Sequence, residues 1–65
     1  MNERDPVREV YFEFTAVGKV VKVAAIDAES GVEVSIMGPV TASQADLQQL
    51  ALQKLKARLA RERAR

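Results

Sequence analysis

The stretch Val10–Asp27, VYFEFTAVGKVVKVAAID, decides the fold. Val10, Phe12, Phe14 and Ala16 alternate with Tyr11, Glu13 and Thr15, the period of a strand with one buried face. Gly18 and Lys19 follow, flanked by Val17 and Val20, and glycine at the first central position suits a type II′ hairpin turn. With the turn there, Phe14 lies opposite Val23 and Phe12 opposite Ala25. The second strand then presents Val21, Val23 and Ala25 inward, with Lys22, Ala24 and Ile26 outward. A slip of one residue would carry Lys22 into the core, so the alternation specifies the register strongly.

Outward from this hairpin, AESG (residues 28–31) predicts a second turn. A type I turn closed by Gly31 in the left-handed conformation would connect Asp27 to Val32, with the Asp27 carboxylate accepting hydrogen bonds from the turn backbone. That register sets Ala25 against Val34 and Val23 against Ile36. The third strand is expected from Val32 to Met37, stopped by Gly38 and Pro39. The acidic side chains Asp27, Glu29 and Glu33 raise the question of calcium. An EF-hand loop started at Asp27 would need glycine at position 6 and a bidentate glutamate at position 12. Here Gly31 falls one place early and Gly38 occupies the last position, so the motif fails.

The period changes after Pro39. Thr41 with Gln44, or Ser43 with Asp46, can cap a helix. Leu47, Leu50, Ala51, Leu55 and Leu59 then recur at helical spacing among good helix formers, predicting a helix over residues 42–62. The expected fold is α+β, of βββα type: a three-stranded antiparallel meander over residues 10–37, in order 1-2-3, with one amphipathic helix on one face. Residues 1–8 are expected to be a loose N-terminal arm of a single small domain spanning 1–65. The sheet is about 26 Å long at 3.3 Å per residue, so the last helical turns overhang it.

Sixty-five residues bury only a small core. The chain has no cysteine and no histidine, which removes disulfides, thiolate metal sites and the usual general base. A partner chain is the support left, which favours association with a second copy or with another protein. The N-terminus has no apolar core of a signal peptide, and no apolar run approaches the roughly 20 residues of a membrane span. A cytoplasmic protein with no membrane contact is the expectation.

REVYFEFTAVG, VKVAAIDAESGVEVSIMGP and ALQKL together resemble a family of very short bacterial proteins of unknown function. The resemblance covers Arg8 to Leu55. It implies a stand-alone small domain and lends no activity and no functional residues.

Three surfaces carry the functional expectations. Tyr11 opposite Ile26, with Ala24 and Met37 placed nearby, would form an apolar group on the sheet face away from the helix. Leu52 widens the leucine arc beyond that of a typical surface helix. Tyr11, Ile26, Met37 and Leu52 are thus the candidate interface, for a homodimer or another protein. Second, residues 54–65 carry six basic side chains against Glu62, a sum of +5, whereas residues 1–53 carry four basic and eight acidic, a sum of −4. Lys54, Arg58, Arg61 and Arg65 form one stripe along the helix, the candidate site for nucleic acid or another polyanion. Cations near a helix C-terminus are also favoured by the macrodipole alone, and no aromatic side chain lies among these for stacking on bases. Third, catalysis has little to work with. The hydroxyls lack a histidine, Glu13 and Glu33 sit on an open face, and the domain has little room for a substrate pocket. No enzyme activity, cofactor, metal or small-molecule substrate is expected.

Overall fold

The computed structural model describes residues 9–64. Its elements are β1 (Val10–Val17), β2 (Val20–Asp27), β3 (Glu33–Pro39) and α1 (Gln44–Ala64), with strand order β1-β2-β3. The expected arm over residues 1–8, and Arg65, lie outside the described residues.

Both hairpins take the register the alternation dictates. Phe14 pairs with Val23, Phe12 with Ala25 and Tyr11 with Ile26. Ala25 pairs with Val34 and Val23 with Ile36. Gly18 takes a left-handed φ of 62° while Lys19 does not, as a type II′ turn requires. In the second turn Gly31 has a φ of 79° and donates to the Asp27 carbonyl at 2.8 Å, while Asp27 N–H donates to Val32 O at 2.9 Å.

The third strand runs two residues past the expected stop at Met37, through Gly38 and Pro39. The reason is its position at the edge of the sheet. The β2–β3 pairs that exchange hydrogen bonds are those of Val34, Ile36 and Gly38, so Pro39 turns its nitrogen to the open side, where no donor is needed. Gly38 does something other than end the strand. The Leu47 side chain lies against its Cα, and a Cβ there would come within 2.6 Å of Leu47 Cδ2.

The helix starts at Gln44, two residues later than expected, because Ser43 rather than Thr41 caps it. The Ser43 hydroxyl accepts from Asp46 N–H at 3.3 Å, and its carbonyl accepts from Leu47 N–H at 3.0 Å. The core consists of Val23, Ala25 and Val34 from the sheet and Leu47, Ala51 and Leu55 from the helix, with Phe12, Phe14, Val21, Ile36 and Leu59 half-buried around them. Leu50, expected on the apolar stripe, is 53% exposed: at about 100° per residue it stands some 140° around the helix from Leu55. Residues 60–63 are exposed beyond Leu59, the overhang that the lengths require.

The helix lies over β2 and β3, with β1 at its margin. This offset leaves the inner side chains of β1 half covered. Val10, Phe12 and Phe14 are intermediate in burial and Ala16 is exposed, whereas Val23 and Ala25 on β2 are fully buried.

Candidate functional site

The second turn holds one charged side chain with no exposed surface. Asp27 follows the inner-face parity of Val21, Val23 and Ala25 and is 0% exposed. Its Oδ2 accepts from Ser30 N–H at 2.9 Å and from the Ser30 hydroxyl at 2.7 Å. The same hydroxyl accepts from Val32 N–H at 3.1 Å. Aspartate therefore ties the turn from beneath, and among the described residues no buried side-chain nitrogen or oxygen lacks a partner. The turn is a fastening, built from the carboxylate that a ligand loop would have needed.

On the outer sheet face the register assembles rows. Tyr11, Ile26 and Glu33 form one, Glu13, Ala24 and Ser35 the next, then Thr15, Lys22 and Met37, and finally Val17, Val20 and Pro39. Tyr11 is 52% exposed and Met37 66%. They do not form the one group expected of them, because the Glu13 row lies between theirs, a spacing of roughly 13 Å along the strands at 3.3 Å per residue. Met37 instead adjoins the row of Val17, which is 71% exposed. The outer face thus carries two apolar groups at opposite ends, Tyr11 with Ile26 and Met37 with Val17, Val20 and Pro39, and a polar middle of Glu13, Thr15, Lys22 and Ser35. Val17 and Val20 were legible as outward residues from their parity around Gly18-Lys19.

Leu52 belongs to another surface. At 100° per residue, Leu52 and Leu59 stand about 160° and 140° around the helix from Lys54. Lys54 reaches the outer edge of β3, where its Nζ donates to Ser35 O at 2.8 Å. The two leucines, both half-buried, therefore occupy the flank of the helix turned away from the β3 edge.

Two of the four side chains of the basic stripe have partners within the molecule. Lys54 is bonded to β3, and Arg58 Nε donates to Glu62 Oε2 at 2.9 Å. Arg61 is exposed; Arg65 lies outside the described residues.

The sheet edges differ most. In a two-residue hairpin the residues flanking the turn exchange hydrogen bonds, so Val17, Thr15, Glu13 and Tyr11 bond to β2. The donation of Ala28 N–H to Glu9 O, at 3.0 Å, continues that parity. Val10, Phe12, Phe14 and Ala16 therefore turn their N–H and C=O groups to the open side. On β3 the outward positions include Ser35, whose carbonyl accepts from Lys54, and Pro39, which has no N–H. One edge is closed at two positions, and along the other, among the described residues, no strand lies against β1.

Among the described residues no helix is long and apolar enough to cross a membrane. A family model described as a domain of unknown function (DUF6898) matches residues 7–62. No curated protein and no solved structure matches the chain.

Proposed function

The chain belongs to that DUF6898 family, whose function is unknown, and from the geometry we propose that it is a small cytoplasmic interaction module that acts by binding protein and not by catalysis. One observation carries this reading. Tyr11, Val17 and Met37 are each more than half exposed on a sheet face that, among the described residues, no other element covers. Large apolar side chains exposed at both ends of an open sheet face, beside a strand edge that no other described strand pairs, are the features of a surface made to be covered.

The polyanion reading rests on Arg61 and on helix-end cations beyond it, since Lys54 and Arg58 have partners within the fold. Affinity capture from the organism's own extract, with and without nuclease, separates the two. Protein retained after nuclease, and lost with Tyr11→Glu, supports the module. A catch that disappears with nuclease overturns it in favour of nucleic acid, and an empty catch overturns it outright.

A further inference from the structure

The β1 edge allows a sharper statement, which rests on the reading of the chain as an interaction module. We propose that the partner is a second copy of this chain, joined antiparallel along β1 with Phe14 on the two-fold axis, so that the two sheets become one sheet of six strands.

The backbone comes first. Val10, Phe12, Phe14 and Ala16 point their N–H and C=O groups outward, and a second β1 related by a two-fold axis offers the matching set. The other edge cannot serve as well, because Lys54 holds the Ser35 carbonyl and Pro39 has no donor. A two-fold axis perpendicular to the sheet keeps both helices on the same face. The half-covered Phe12 and Phe14 of each copy then adjoin those of the other.

The side chains choose the register. Keeping the two buried faces together leaves four registers that pair five or more residues of β1, centred on Phe12, Glu13, Phe14 or Thr15, and the last sets Glu13 against Val17 and leaves Tyr11 beyond the paired segment. Placing Glu13 opposite Glu13 sets like charges directly across the junction and is unfavourable. Placing Phe12 opposite itself sets Glu13 against Tyr11 of the second copy, with Ile26 next in the row, and leaves Val17 beyond the paired segment. Placing Phe14 opposite itself resolves every position. Glu13 then faces Thr15 of the second copy, and Lys22, in the Thr15 row, lies across it from the Glu13 carboxylate. Phe12 faces Ala16. Tyr11 faces Val17, so the two exposed large apolar side chains of β1 cover each other.

This register also explains why the outer face carries two separated apolar groups. In one copy Tyr11 and Ile26 lie at the opposite end from Val17, Val20 and Pro39. Across the junction, Pro39, Val20 and Val17 of one copy continue into Tyr11 and Ile26 of the other as a single row, and this happens twice by symmetry. About six backbone hydrogen bonds join the strands, two for each of Phe14–Phe14, Phe12–Ala16 and Ala16–Phe12.

Sedimentation equilibrium of the full chain at high micromolar concentration should give twice the 7.2 kDa of one chain. A monomer there overturns the proposal. The wider reading survives that result if nuclease-resistant capture persists, and falls separately if it does not. The register has its own test, since the chain has no cysteine. Tyr11 and Val17 meet across the junction as a non-hydrogen-bonded pair, with Cα atoms about 4.5 Å apart, within disulfide reach. Mixed Tyr11→Cys and Val17→Cys chains should cross-link on oxidation, and neither variant alone should. A dimer in which the mixture links no faster than the single variants overturns this register. Thr15→Glu places a second carboxylate against Glu13 and should weaken the dimer about tenfold, while keeping a Lys22 partner within its own chain. Adding Glu13→Lys should restore association, and failure to do so counts against the junction.

Discussion

Asp27 is a charged side chain with no exposed surface, held by both hydrogen-bonding groups of Ser30. Burial of a carboxylate is tolerated only where its oxygens are bonded, and here the bonds also set the turn that aligns β3 with β2. Asp27→Ala leaves Ser30 N–H without its acceptor and opens space under the turn, and should cost about 2–3 kcal/mol in urea unfolding. Gly38 makes a different demand. Leu47, 5% exposed, rests on its Cα, so the methyl of Gly38→Ala must displace a packed leucine. A loss of about 1–3 kcal/mol is expected from the overpacking. A neutral outcome in thermal unfolding would mean that the helix shifts to accommodate it.

At the scale of elements, two side chains act at boundaries. Ser43 accepts from Asp46 N–H, and Ser43→Ala should remove about 1 kcal/mol of stability and fray the first turn, visible as faster amide exchange over residues 44–47. Lys54 joins α1 to the edge of β3 through a single bond to Ser35 O. Its ammonium is exposed, so Lys54→Ala should leave the melting temperature close to that of the parent. It uncovers an acceptor on the second sheet edge, however, and should produce concentration-dependent association beyond the dimer, read by sedimentation velocity. This effect separates its role at the edge from a role in binding phosphate, where salt-sensitive loss of nucleic-acid binding would be the change instead.

For the whole molecule, the small core sets the margin. Leu55, on the buried face of the helix, is 0% exposed and belongs to one cluster with Val23, Ala25, Val34 and Ala51. Leu→Ala in a core costs about 2–5 kcal/mol, comparable with the entire stability expected of a chain this short. Leu55→Ala should therefore be largely unfolded by circular dichroism at 25 °C, and concentrating it should recover helix and sheet if dimer formation is coupled to folding.

What the sequence determined by itself was local. The alternation of Val10–Asp27, the left-handed glycines Gly18 and Gly31 and the helical spacing after Pro39 each express a short-range rule, and these rules together specify βββα and its register. The same parity already sent Val17 and Val20 outward with Tyr11 and Ile26. What only the tertiary structure decided was lateral: that the helix settles over β2 and β3, that Leu47 lies on Gly38, and that Lys54, nineteen residues along the chain from Ser35, closes the β3 edge while, among the described residues, no strand lies against β1. Periodicity states which face of an element is buried. It does not state where along the width of a sheet that face comes to rest, because the position follows from the volumes of side chains far apart in sequence that must fill the same space.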